Sequence, residues 1–265
     1  MTIMSRVREH YTESLEHFSE NNIVGVFLQG SQNYKLDTPS SDVDTKLIVT
    51  PSFNDIALMK QPVSTTYVRE NAEHVDFKDI RCYMETFRKQ NLNFLEILFT
   101  PYFILNPDYE AEWNRLVANR EKIARMNPFR AVKSMKGVAL EKYHAMEHLY
   151  PSKVDIIGKY GYDPKQTSHL VRVRDYLERY IAGEAYAECL IPSPQWYDLI
   201  VELKIGAYPL EEARKIADEH IAYIEKIANE FCACEEERED KEMRELLEDV
   251  SCNILKISIK KEILC

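Results

Sequence analysis

An α+β chain is what the sequence predicts, with a sheet-bearing part over residues 1–105 and an all-helical part over 106–265. Three observations carry that expectation. Two apolar runs of strand character, Val24 to Leu28 and Leu47 to Val49, flank a turn that starts with glycine and serine. A third run, Glu73 to Lys78, alternates apolar and polar residues with a period of two, as a half-buried strand does. From about Asn106 onward apolar residues recur only at helical spacing, between turn signals. At 265 residues and 45% hydrophobic content, the chain has material for one large core or two smaller ones.

Taken in order, Val7, Tyr11, Leu15 and Phe18 recur every three or four residues and predict an amphipathic helix over 4–20, ended by Asn21 and Asn22. The first strand follows at Val24. After the second strand, Asn54 and Asp55 open a short helix to about Lys60, and a flexible connection leads from Pro62 to the third strand. Asp79 is placed to cap a helix over 80–90. A block over 91–99 that runs into a terminal apolar strand or helix closes this part, with Glu96 next to its core residues, either orienting the neighbouring strands or on a solvated helix position.

The chemistry concentrates between Val24 and Val49. Gly30 has no Cβ and lets the chain turn tightly against a ligand, and the amides of Gly30 and Ser31 are suited to a polyphosphate. Asp42 and Asp44 lie two apart at the start of the second strand, so their carboxylates share one face while Val43 faces the other way. Two adjacent carboxylates repel. Magnesium relieves that conflict, because it is a hard cation commonly held by one or two carboxylates plus substrate phosphates. Lys46 shares the strand face of Asp44 and can offset phosphate charge.

The pattern of a strand, Gly30-Ser31, a ten-residue spacer and Ser41-Asp42-Val43-Asp44 resembles the signature of the DNA polymerase beta-like nucleotidyltransferase superfamily. That resemblance implies a nucleotidyltransferase-type mixed sheet with flanking helices. It implies two Mg2+ ions, with Mn2+ as an alternative, held by Asp42, Asp44 and a third acid on a neighbouring strand. Asp76 is the choice and Asp79 the rival. Gly30, Ser31, Tyr34, Ser41 and Lys46 then form the nucleotide-binding set in this part, with Tyr34 and Tyr162 as candidates for stacking on the base. The implied reaction moves a nucleoside monophosphate from a nucleoside triphosphate to an acceptor hydroxyl and releases pyrophosphate.

In the second part, helices are expected over 109–124, 128–149, 164–182, 195–204, 209–235 and 241–256, and Pro128, Pro164 and Pro209 suit first-turn positions. Arg130, Lys133 and Lys136 follow one side of the first long helix, and Lys165, His169 and Arg172 make a tighter stripe on the next. The segment from Lys159 to Arg172 resembles a narrower branch of the same superfamily, made up of predicted bacterial and phage nucleotidyltransferases. In that branch a Gly-Tyr-Asp-x-Lys turn opens a helix bearing His and Arg. The resemblance implies that Lys165, His169 and Arg172 face the triphosphate or the acceptor.

The net charge of −10 speaks against a general polyanion-binding surface and mildly favours a non-polymer acceptor. RNA ends, small molecules and proteins all remain as acceptors, beside a non-enzymatic nucleotide-binding reading. Six scattered cysteines without zinc spacing fit reduced thiols and a cytoplasmic location. No apolar run reaches the roughly 20 residues of a membrane span, so no membrane partner is expected.

Overall fold

The computed structural model describes residues 2–38 and 41–264. Its helices, in chain order, are α1 (Ile3–Ser14), α2 (Phe53–Ala57), α3 (Ile80–Arg88), α4 (Leu92–Leu95), α5 (Glu110–Ala118), α6 (Arg120–Ala124), α7 (Pro128–Ala145), α8 (Val154–Tyr160), α9 (Pro164–Ile181), α10 (Tyr186–Cys189), α11 (Pro194–Lys204), α12 (Leu210–Cys234) and α13 (Lys241–Leu264). The strands are β1 (Ile23–Gln29), β2 (Asp44–Val49), β3 (Ser64–Val68), β4 (His74–Asp79) and β5 (Phe103–Leu105). An N-terminal mixed sheet with helices thus precedes a largely helical region, and the chain is α+β.

The chain divides into two compact units. The first joins residues 1–127 to 239–265, and the second is 128–238. The sequence alone suggests one boundary at 105/106, because nothing local marks a helix that returns to an earlier unit. The returning helix is α13, whose Met243, Leu247, Val250 and Ile254 recur every three or four residues and are buried, with α13 packing against α3 and α5.

In the first unit the sheet runs β3-β4-β2-β1-β5. All neighbours are antiparallel except β2 and β4, which are parallel and pair Lys46 with Asp76 and Thr45 with Val75. One face buries Val26, Leu28, Leu47, Val49, Val75 and Phe77 together with Val7 of α1. On the other face Phe27 stacks on Trp113 of α5, with ring centroids 4.4 Å apart. Two strands escaped the sequence reading. β3, with every residue exposed, lies in the connection expected to be flexible, and β5 is only three residues long.

Local signals account for several element ends. Asp79 caps α3 by accepting the Arg81 N–H at 2.8 Å, as the sequence suggested. The first helix stops at Ser14, short of the expected residue 20, and Leu15 is left exposed. Its buried positions are Val7, His10 and Ser14, two of them polar. The segment 91–99 is helical: α4 runs on into a 3-10 turn over Glu96–Leu98.

The second unit is built on α9, which packs against α7, α11 and α12. Asp163 caps α9 through the Lys165 N–H, and Pro164 stands in its first turn. Tyr176, Tyr180 and Tyr186 form a buried aromatic cluster in this unit. Among the described residues no helix is long and apolar enough to cross a membrane. Cys82, Cys189, Cys232, Cys234 and Cys252 are free thiols, while Cys265 lies outside the described residues.

Candidate active site

The face of the sheet opposite α1 gathers Gln29, Asp44, Lys46 and Asp76. Gln29 pairs with Asp44 across β1 and β2, and Lys46 pairs with Asp76 across β2 and β4, so the alternation of the strands puts all four on one side. Asp79, odd-numbered like the buried Val75 and Phe77, belongs to the other face and forms an ion pair with Arg81 at 2.6 Å. Asp76 thus shares the sheet face of Asp44, and Asp79 does not.

β1 ends in a turn that requires glycine. Gly30 has φ +97°, a conformation that L side chains rarely adopt, and a Cβ built there would meet nothing within 4 Å; conformation, not space, selects the residue. A 3-10 turn, Ser31–Tyr34, follows. The Gly30 N–H lies 3.5 Å from a carboxylate oxygen of Glu96, which also accepts the Tyr34 hydroxyl. Two expectations change here. The Gly30 amide faces a protein carboxylate rather than open space for phosphate, and Tyr34, buried with its hydroxyl engaged, offers no platform for a base.

The segment from Ser41 to Asp44 is fastened at every residue. Arg6 Nη1 donates to the Ser41 carbonyl at 3.2 Å, and Gln32 Nε2 donates to the Asp42 carbonyl at 2.6 Å. The Val43 N–H donates to Glu73 Oε1 at 3.0 Å, and Asp44 Oδ1 accepts the His74 N–H at 2.9 Å. The Ser41 hydroxyl is engaged in its own turn, accepting the Thr38 N–H at 2.8 Å. Asp42 is exposed and precedes the strand; Asp44 is its first residue, with its side chain about one-third exposed. Pro39 and Ser40 of the spacer lie outside the described residues.

Behind this segment lies a buried polar network that the sequence reading missed. Glu73, 1% exposed, accepts from Asn71, Arg69 and the Val43 amide and pairs with Arg6. His10 bridges Thr45 Oγ1 at 2.8 Å and Glu73 Oε2 at 3.0 Å. Burial first, then the Arg69 guanidinium, lowers the His10 pKa from 6.5 to about 4, so the ring is neutral near pH 7. The available signal was a histidine at i+3 from Val7, on the buried side of α1.

Lys46 is almost wholly enclosed, with Nζ 3.2 Å from Asp76 Oδ2 and 4.1 Å from the centre of the Phe94 ring. Asp76 is engaged on both oxygens: Oδ1 accepts the Thr66 hydroxyl at 2.6 Å, and Oδ2 also accepts Gln29 Nε2 at 3.3 Å. Burial acts to raise the Asp76 pKa, but Lys46, Thr66 and Gln29 outweigh it and hold the carboxyl below its ordinary range. Hard oxygen donors suit magnesium. At Asp76 the arrangement does not suit ions shared by all three acids, because the Lys46 ammonium already stands against that carboxylate.

The other three predicted residues lie in the second unit, on α9. Lys165 is exposed, His169 half-buried and Arg172 buried, so the stripe does not present one open face. The half-buried ring of His169 is held neutral, its pKa pushed well below 6.5 by burial and then by Arg172, Lys165, Lys142 and Lys204. Of the other stripe, Arg130 pairs with Glu237 and Lys136 with Asn229, partners within the same unit. Tyr162 is buried, its hydroxyl donating to the Tyr208 carbonyl at 2.9 Å, and so it too offers no base platform.

A cavity of about 350 Å3 opens at the far end of β2 and β4, lined by Thr50, Lys60, Asp79 and Arg81 among others. Its charges are paired internally, Asp79 with Arg81 and Lys60 with Asp55, and it contains none of the chosen site residues.

The first unit is therefore an α+β unit that collects acids and an enclosed lysine on one sheet face, beside a glycine turn. No family model and no curated protein matches the chain. Among solved structures it is similar to a nucleotidyltransferase-like protein from Exiguobacterium sibiricum 255-15, with 13% identity, 84% of this chain and 74% of that one covered, and a TM-score of 0.33. At that score the likeness says nothing about the site.

Proposed function

We propose that the chain is a nucleotidyltransferase, moving a nucleoside monophosphate from a nucleoside triphosphate to an acceptor hydroxyl. The observation that supports this most is the parallel β2–β4 register, which sets Asp44 and Asp76 on one sheet face at the end of β1 where Gly30 turns. In the reaction the acceptor oxygen forms a bond to the α-phosphorus. The bond from that phosphorus to the bridging oxygen breaks, and pyrophosphate leaves with the electron pair. Asp44, partly open to solvent, takes the acceptor proton, and exposed Asp42 stands two residues before it, ahead of the strand. Asp76 and Lys46 form a fixed dipole beside them.

The test is incubation with each α-labelled triphosphate, with and without added magnesium, alone, with RNA, with small hydroxylated acceptors and with protein. Transfer of label with pyrophosphate release is expected, and it is lost in Asp42→Asn and Asp44→Asn while the circular dichroism spectrum is unchanged. Undiminished transfer by both variants refutes the roles given to these acids. Triphosphate binding without any transfer points instead to a nucleotide-binding protein.

A further inference from the structure

The acids on the β2–β4 face are not equivalent, and the difference lies in what already neutralises each. Asp76 has an ammonium 3.2 Å away, whereas Asp44 is met by the His74 amide and by His74 Nδ1 at 3.2 Å. Lys46 is no surface residue swinging in by chance. Its side chain is 3% exposed, packed under Phe94 on a strand whose register fixes Asp76 opposite. An enclosed ammonium needs a compensating anion, and a carboxylate with both oxygens engaged has little to offer a second cation.

We infer that Lys46 is a built-in cation, standing at Asp76 where a metal ion would otherwise sit, so that Asp76 ligates no divalent ion while Lys46 is in place. The inference deepens the transferase reading and rests on it for the meaning of Asp76. It replaces the expectation of two ions shared by three acids and moves Lys46 from a triphosphate contact to a counter-ion. In chemical terms, a positive charge tethered to the chain serves one carboxylate. Any exchangeable cation arriving with a triphosphate is left to Asp42 and Asp44.

The test counts Mn2+ bound per chain, by electron paramagnetic resonance of the free ion and by calorimetry. It uses the full chain with a non-hydrolysable triphosphate analogue, in the wild type and in Asp76→Asn, Lys46→Met and Lys46→Arg. The inference expects the same count in the wild type and in Asp76→Asn. It expects one additional ion in Lys46→Met, lost again in the Lys46→Met/Asp76→Asn double variant, and the wild-type count in Lys46→Arg. A wild type that loses an ion on Asp76→Asn overturns it, as does Lys46→Met that gains none while keeping a native circular dichroism spectrum. Should Lys46→Met not fold, the comparison of the wild type with Asp76→Asn decides alone. The count needs no turnover: failure to transfer label sinks the proposed reaction and leaves the count standing, whereas an Asp76-dependent ion in an active enzyme does the reverse.

Discussion

Removing the Glu73 carboxylate is the sharpest probe of how the 41–44 segment is held. Glu73→Ala deletes the acceptor of the Val43 amide and withdraws a buried anion from Arg6, Arg69, Asn71 and His10. Breaking a buried ion pair from one side costs about 3–5 kcal/mol. Arg69 keeps Glu13, to which its Nε donates at 2.7 Å, and Arg6 is about one-quarter exposed and rehydrates. Both facts point to the lower end, about 3 kcal/mol. For a unit of roughly 150 residues, each kcal/mol moves the midpoint by about 2–4 °C, so Tm should fall by about 6–12 °C. Differential scanning calorimetry measures the shift, and amide hydrogen exchange at Val43 should accelerate in parallel. A Tm change below about 2 °C, with Val43 still protected, refutes the view that Glu73 fastens this segment.

Other perturbations test neighbouring claims. His10 has a folded pKa of about 4 against 6.5 unfolded, so the unfolded chain takes up the proton first; its contribution is complete above about pH 6.5 and is lost as pH falls toward 4. The loss is about 3 kcal/mol at most, read as a falling urea midpoint that flattens in His10→Gln; an unchanged slope in that variant contradicts a neutral buried ring. Leu247→Ala on α13 empties a fully buried position and should cost about 2–5 kcal/mol in the first unit, whereas a surface-like value below about 0.5 kcal/mol would show α13 to be undocked. Gly25→Ala brings a Cβ to 2.9 Å from Phe27 Cζ and 3.0 Å from the Ile104 carbonyl, so chemical denaturation should report a loss of about 1–3 kcal/mol. No loss there means that β1 and β5 are not as closely apposed as described.

The legible parts of the fold were those with a strong local period. β1, β2 and β4 announce themselves by apolar runs or by alternation; Asp44 opens β2, whereas Asp42 lies before it, outside the alternation that pairs the two acids in the sequence. β3 is a different case: every residue from Ser64 to Val68 is exposed, so no apolar pattern marks it, and its pairing to β4 is what makes it a strand. The parallel pairing of Lys46 with Asp76 is likewise absent from any local pattern. Local sequence therefore points Lys46 at a phosphate, whereas its ammonium lies against Asp76, thirty positions away. The basic stripe on α9 misled for the opposite reason. Spacing put Lys165, His169 and Arg172 on one side of the helix, but helical spacing does not say which side is packed, and Arg172 proves to be buried.

The route of the chain through the first unit has a consequence for synthesis. Residues 1–127 need α13 to complete their packing, and the whole helical unit is made before α13 leaves the ribosome. During that interval the sites on α3 and α5 that will receive Met243, Leu247, Val250 and Ile254 are bare, while the later-made unit is free to mature first. Ribosome stalling before Lys241 should therefore leave the acid-bearing sheet as the more protease-sensitive half.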